Sequence, residues 1–184
     1  MNQIKTLKGS LKEFKSVYSI AAIAMLLALR VVLGSFANTT LPLFGNNVKI
    51  SPSFIPIALA GAMFGPLPAA IVGALGDILS FILVPTGGSY FPGFTISGFI
   101  TGFIYGCALY KNQITLPRVI ISWFINMFAV ETFLAAYWLF MLDGGTIPYS
   151  VRLYIRFISE AIKCVPEIFL IFALGKLTSR IKLK

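Results

Sequence analysis

The chain has 184 residues, of which 58% are hydrophobic and 11% charged, and its mean hydropathy is +0.89. This small number of charged side chains could not cover a water-facing surface. The composition therefore excludes a soluble globular domain and predicts an integral membrane protein. The formal net charge is +9, but the basic residues lie in the tails and one loop, and we therefore expect no nucleic-acid binding.

A helix needs about 20 apolar residues to cross a bilayer, so the chain has room for roughly six crossings. We predict an all-α membrane protein with a single transmembrane domain over 1–184 and a basic amphipathic lead at 1–16. The predicted spans are 17–36, 53–65, 67–84, 92–110, 116–141 and 150–177. The second is short and contains Pro56, so a re-entrant segment remains an alternative for it. The polar residues 37–52 form the longest predicted loop, which is typical of a lid.

The distribution of basic residues predicts the orientation. With six full spans, both termini share one side with the loops after spans two and four. That side carries the lysines of both tails together with Lys111 and Arg118, whereas the opposite loops offer Lys49, with Arg152 at a membrane edge. Because cytoplasmic loops collect Lys and Arg, we expect both termini in the cytoplasm.

Small residues recur every four positions in the apolar part of the chain. Gly98, Gly102 and Gly106 form one such series, and Gly61 and Gly65 form a shorter one. This spacing lets helices approach closely in lipid, either within the chain or against another protein. For Gly61 and Gly65 the prediction is a partner interface.

Charges within the spans are the clearest functional signal, because lipid does not solvate an isolated ion. Asp77 and Glu131 lie near the middle of their spans. The sixth span carries a charged stripe whose members fall within about 80° of one another on a helix. The stripe consists of Arg152, Arg156, Glu160, Lys163 and Glu167.

A surplus of positive charge lies toward the predicted outer side, where Arg30, Lys49, Arg152 and Arg156 occur near several aromatic residues. These are Tyr90, Phe91, Phe94, Tyr137 and Trp138. Arginines beside flat rings suit a ligand that has carboxylates at one end and a planar heterocycle at the other. The structural alternative is that the charges form internal salt bridges and the rings form interfacial belts.

Motifs for catalysis or energy supply are missing from the sequence. It contains no histidine, no GxxxxGK[ST] phosphate loop, no HExxH and no GxSxG, and Cys107 and Cys164 lie in apolar spans. We therefore predict a non-catalytic transport protein without a metal or cofactor, powered by partners if at all. Two other classes remain as alternatives: a membrane enzyme acting on lipid, with Asp77 or Glu131 as acid or base, and a structural assembly protein.

Five short blocks resemble the S components of energy-coupling factor (ECF) vitamin transporters, most closely the folate-specific members. They are LRVVL at 29–33, ISPSFIP at 50–56, GAMFGP at 61–66, GALGD at 73–77 and YFPGFT at 90–95. The resemblance is good over 24–106 and looser in the last two spans. The second and third spans' Phe-Gly-Pro and Gly-Asp blocks also occur in S components for other substrates, so riboflavin or pantothenate remains an alternative ligand.

The resemblance implies a protein of the bacterial plasma membrane that captures a vitamin outside, with a transmembrane coupling subunit and two ATPases as partners. An Ala-x-x-x-Ala pattern, here Ala24 and Ala28, would pack on the coupling subunit, and the loop 37–52 would cover the ligand. The candidate substrate-binding residues are Arg30, Lys49, Asp77, Tyr90, Phe91, Gly93, Phe94, Ser97, Glu131, Trp138, Arg152, Arg156 and Glu160. From their charge, and not from the resemblance, we expect Arg30, Arg152 and Arg156 to meet the glutamate end of folate, and the rings and an acidic side chain to meet its pterin.

Overall fold

The computed structural model describes residues 3–36, 39–41, 48–50, 52–84 and 90–178. Nearly all of this part is helical. The helices are α1 (Gln3–Glu13), α2 (Val17–Phe36), α3 (Phe54–Phe64), α4 (Pro66–Leu83), α5 (Pro92–Leu109), α6 (Leu116–Asn126), α7 (Ala135–Leu142) and α8 (Tyr149–Thr178), and a π-helical segment, Met127–Leu134, joins α6 to α7. Two short strands, β1 (Thr39–Leu41) and β2 (Val48–Ile50), complete the described elements.

The helical fold class predicted from composition is confirmed. Among the described residues, four stretches are long and apolar enough to cross a membrane: Val17–Ser35, Pro66–Leu83, Pro92–Leu109 and Leu116–Leu142. The helix Phe54–Phe64 is apolar but shorter. At 30 residues α8 has ample length, and its charged stripe is what lowers its hydropathy.

Proline and glycine set the helix boundaries. Pro66, Pro92 and Pro117 occupy the first turns of α4, α5 and α6, where the missing N–H of proline costs no hydrogen bond. Gly65, between α3 and α4, has a φ of 96°, which glycine adopts without the penalty a Cβ would bring. The chain therefore reverses within one residue, and α3 and α4 pack side by side.

The interface between α4 and α5 is built on direct backbone contact. A Cβ at Gly73 would lie 2.0 Å from the carbonyl oxygen of Gly98, and one at Gly102 would lie 2.2 Å from that of Ala69. Neither position has room for any larger residue. The small-residue spacing read from the sequence thus serves packing within the chain.

The predicted partner interface at Gly61 and Gly65 is corrected by this packing. Both residues are buried inside the chain. A Cβ at Gly61 would meet the backbone nitrogen of Gly106 at 2.8 Å, and one at Gly65 would meet the side chain of Ser10 at 2.9 Å. Their small size is required by α5 and α1, so they offer no surface to a partner.

The amphipathic lead folds as α1 and is hydrogen-bonded to one end of the bundle, here called the α1 end. The hydroxyl of Ser10, which is fully buried, accepts from the backbone N–H of Leu67 at 3.2 Å. Glu13 accepts from Tyr110 at 3.1 Å and from Ser19 at 3.0 Å. The last turn of α8 reaches the same end, because Gly175 lies against Ile114 in the loop that follows Tyr110.

The opposite end carries an antiparallel ribbon in which β1 pairs with β2, with Thr40 opposite Lys49. This end is called the ribbon end. The sequence predicted a loop without strands over 37–52, and the structure differs because the two arms of the loop pair with each other. Residues 37–38, 42–47 and 51 of that loop lie outside the described part of the chain, as does the side chain of Lys49.

Candidate functional site

A cavity of about 650 Å³ opens among the helices and is lined by residues of every helix from α2 to α8. It extends from Val84 and Leu142, toward the ribbon end, to Tyr105 and Glu167, deeper in the bundle. Along α5 the lining runs from Phe94 to Tyr105, a rise of about 16 Å. A cavity of this volume and depth fits a single elongated small molecule.

Arg30 is one of the cations that line the cavity. Its stem lies against Gly76, where a Cβ would come within 2.5 Å of the arginine Cγ, and its guanidinium passes Gly34 in the same way. The guanidinium interacts electrostatically with Asp77 and Glu131. Among the described residues, its Nε has no hydrogen-bond acceptor. The side chain lines the cavity, where a guanidinium suits an acidic ligand.

Two serines extend the same polar patch. The hydroxyls of Ser35 and Ser80 are buried and have no hydrogen-bond partner within the described part of the chain. Both residues line the cavity, as does Arg156 of α8. Toward the ribbon end the lining therefore combines serine and arginine side chains from three helices, and the guanidinium groups are suited to carboxylates.

Asp77 is engaged by its neighbours. Its Oδ2 accepts a hydrogen bond from the hydroxyl of Thr95 at 2.7 Å, and the Thr95 Oγ1 lies 2.7 Å from the Tyr90 hydroxyl oxygen. All but Thr95 line the cavity. This chain of hydroxyls ties the start of α5 to α4 and satisfies one oxygen of the Asp77 carboxylate.

One wall of the cavity is aromatic. Phe91 and Phe94 line it directly with ring centroids 6.0 Å apart, and the Phe91 centroid lies 5.7 Å from that of Trp138. Trp138 stands behind this pair, and its Nε1 donates to the Ser97 hydroxyl at 3.1 Å. Gly93 gives the rings room, since a Cβ there would lie 2.4 Å from Phe91 and 2.5 Å from Trp138. Gly93 and Trp138 support the wall without lining the cavity.

The charged stripe of α8 continues into the deep half. Glu160, which is 2% exposed, forms an ion pair with Lys163. Farther in, the indole N–H of Trp123 donates to Glu167 at 2.7 Å. All four residues line the cavity. Lys163 and Glu167 are thus part of the cavity wall while also having partners within the chain.

Glu131 differs from the other carboxylates of the cavity. It lines the wall from the π-helical segment and interacts electrostatically with Arg30 in one half and with Lys163 and Glu160 in the other. Within the described residues, no hydrogen bond or ion pair of its side chain is recorded. Among the described carboxylates of the cavity, it is therefore a candidate to accept hydrogen bonds from a ligand.

The position of Arg152 differs from the prediction that this residue of the charged stripe binds the substrate. It forms an ion pair with Asp143, in the turn before α8, and it does not line the cavity. Its side chain is 8% exposed, and the turn after α7 brings the carboxylate to it. The other predicted members of the wall, namely Arg30, Asp77, Tyr90, Phe91, Phe94, Ser97, Glu131, Arg156 and Glu160, do line it.

Several lining residues were not singled out from the sequence. Tyr105, Trp123 and Asn126 lie in the deep half, and Asn126 interacts with the Tyr105 hydroxyl while its Oδ1 has no hydrogen-bond donor among the described residues. Trp123 and Asn126 are three positions apart, so they fall on one helical face, and this spacing could have indicated from the sequence that both face the same cavity. Ser35 and Ser80 carried no such signal.

Comparison with known proteins gives a consistent result. Residues 18–176 match the family described as ECF transporter, substrate-specific component. A protein of Clostridium novyi (strain NT) named folate transporter FolT is 32% identical over 169 residues, which cover 92% of this chain and 94% of that protein. A folate transporter FolT of Leuconostoc mesenteroides is 30% identical over 93 residues, covering 50% of this chain and 47% of the relative.

Similarity extends to a solved structure. The crystal structure of FolT bound with folic acid superposes with a TM-score of 0.77 at 32% sequence identity, covering 88% of this chain and 95% of that one. At this identity and coverage, the similarity indicates a family relationship as well as a shared fold.

The buried ion pair yields a stability prediction. Replacing Lys163 with Gln should lower the free energy of unfolding by about 3–5 kcal/mol, since Glu160 is then a buried charge without its partner. The double variant Glu160→Gln/Lys163→Gln should regain most of that loss. Unfolding in detergent measures both, with Lys15→Gln, at an exposed lysine, as the control. A double variant no more stable than the single one would contradict the prediction.

Proposed function

The chain belongs to the family of substrate-specific components of ECF transporters, and we propose that it captures folate in the cavity described above. It is a non-catalytic membrane transport subunit that is similar to folate transporters. The proposal is carried by one observation: a cavity with two arginines and an aromatic wall, in a chain 32% identical over most of its length to a protein solved with folic acid.

The chemistry of folate matches the cavity group by group. Its glutamate end has two carboxylates, and Arg30 and Arg156 are the arginines of the described wall. Guanidinium groups bind carboxylates with paired, charge-assisted hydrogen bonds. Within the described residues neither of these two arginines forms an ion pair. Arg152 is left out, because Asp143 already occupies it.

The pterin end is flat and carries amino and ring N–H groups. Phe91 and Phe94 offer ring faces and edges against which it can stack. Among the acidic residues, Asp77 accepts from Thr95 and Glu160 pairs with Lys163, whereas Glu131 has no recorded partner in the described chain. We therefore assign to Glu131 the hydrogen bonds from the pterin donors. The side chain of Lys49 stays a candidate on sequence grounds alone.

Titration of the purified protein with folate tests the proposal, with riboflavin as the comparison ligand. Arg156→Ala should weaken folate binding by about 5- to 150-fold, because about 1–3 kcal/mol is lost when a charged partner is removed. The loss should shrink for pteroate, which lacks the glutamate. Arg118→Ala is the matched control, since its guanidinium donates to the Gln113 carbonyl at 3.1 Å and does not line the cavity.

Two outcomes would end parts of this proposal. A wild-type folate affinity no better than millimolar would exclude folate as the substrate. Equal losses for folate and pteroate in Arg156→Ala would exclude contact between that arginine and the glutamate.

An ATP-driven module of a transmembrane coupling subunit and two ATPases is the expected partner. Ala24 and Ala28 are exposed on α2, beside the exposed apolar side chains of Met25 and Val32. This leaves a low-relief apolar surface suited to close helix packing in lipid. The assignment of the interface to Ala24 and Ala28 is supported by their exposure, in contrast to the buried Gly61.

Enlarging both alanines tests the interface. The variant Ala24→Leu/Ala28→Leu should lose co-purification with the coupling subunit while its folate affinity stays unchanged, because neither residue lines the cavity. Ala173→Leu, at an exposed alanine of α8, is the matched control. Full complex formation by the double variant would remove this face of α2 from the interface.

We propose a plasma-membrane protein with six crossings and both termini in the cytoplasm. The contacts of α1 and of the last turn of α8 at one end of the bundle support an even number of crossings, and the basic residues of that end support its cytoplasmic location. Alkaline phosphatase fused to either terminus should be inactive in bacterial cells, and fused after Asp143 it should be active. Activity at either terminus would contradict this orientation.

A further inference from the structure

The π-helical segment Met127–Leu134 interrupts a helix that lines the cavity on both sides of it. Before the segment, Trp123 and Asn126 line the cavity, and after it Ala135 and Leu139 do so. Continued at about 100° per residue, an uninterrupted α-helix would turn Ala135 by about 120° and Leu139 by about 160° away from Trp123. One face of a plain α-helix could not hold all of these residues.

The wider turn corrects this drift. A π turn closes i→i+5 hydrogen bonds and so holds one more residue than an α turn, which removes about 100° of rotation. Ala135 then returns to within about 20° of Trp123, and Leu139 to within about 60°. The segment thus changes the register of the helix while keeping both halves against the cavity.

The change of register turns Glu131 toward the cavity. If the turns of α6 continued, Glu131 would lie about 80° from Trp123 around the helix axis, outside the sector between Asn126 and Met127. In the register of α7, Glu131 lies about 20° from Trp123. In the structure Glu131 lines the cavity beside Val130. It interacts there with Arg30, Glu160, Lys163 and Glu167.

We propose that the π segment is a positioning device that turns the Glu131 carboxylate into the cavity, where it receives the N–H donors of the ligand's heterocycle. The assignment of that heterocycle rests on the proposed function, but the direction of the side chain does not. A helix without the wide turn would keep either Val130 or Glu131 on the cavity face, according to which register prevailed.

Two single-residue deletions separate the registers. Both remove an exposed residue of the segment and restore continuous α-helical turns. Deleting Phe133 leaves Glu131 in the register of α6, turned away from the cavity, and should weaken folate binding at least about tenfold, as Glu131→Gln should. Deleting Ala129 leaves Glu131 in the register of α7 and should keep the affinity within about threefold of wild type.

Wild-type folate affinity after deletion of Phe133 would overturn the proposal. So would equal losses in the two deletion variants when both retain wild-type helicity and thermal stability.

Cysteine labelling gives an answer even if a deletion prevents folding, and it requires no folate. In a Cys107→Ser/Cys164→Ser background, Glu131→Cys should react with a charged, water-soluble methanethiosulfonate. Ala129→Cys and Phe133→Cys, on the exposed outer face, should stay unmodified in the membrane. An unreactive Glu131→Cys would overturn the proposal. Labelling as expected in a protein that fails to bind folate would instead reject the proposed function and leave the positioning role standing.

Discussion

This structure depends on one constraint, which is that lipid does not solvate ions. The helix α8 places four ionisable groups at successive turns, and each would be prohibitively costly against acyl chains. The protein turns Arg156, Glu160, Lys163 and Glu167 inward, where they line a shared cavity. Trp123 of α6 donates its indole N–H to Glu167, and within α8 itself Lys163 pairs with Glu160.

The close crossing of α4 and α5 makes that cavity definite in shape. With backbone against backbone at Gly73 and Gly98, and again at Gly102, the two helices cannot slide without steric overlap. They carry Asp77, Phe94 and Ser97 of the cavity wall. The rigid pair therefore fixes the aromatic side of the cavity, while the half of the wall opposite is formed by a helix with an altered turn.

Sequence reasoning reached the helical class and much of the cavity wall because both follow from local rules. Apolar length predicts spans, and a stripe at steps of three and four predicts which face of α8 avoids lipid. It failed where the answer depends on tertiary contacts. Arg152 belongs to the stripe but is claimed by Asp143, and Gly61 has the spacing of an interface residue but is pressed against Gly106. The π turn changes a helix's period, so an assumed 3.6-residue repeat could not place Trp123, Glu131 and Leu139 on one wall.

The N-terminal helix has a mechanical meaning that its amphipathic sequence does not convey. The hydroxyl of Ser10 accepts a hydrogen bond from the first turn of α4, and the carboxylate of Glu13 accepts one from Tyr110. These bonds couple α1 mechanically to the bundle. The exposed Lys12 of α1, and the exposed Lys15 just beyond the helix, therefore move together with the bundle. Any tilt of the bundle therefore carries those ammonium groups with it, and wherever they approach anionic headgroups, the charge of the lipid contributes to the free energy of tilting.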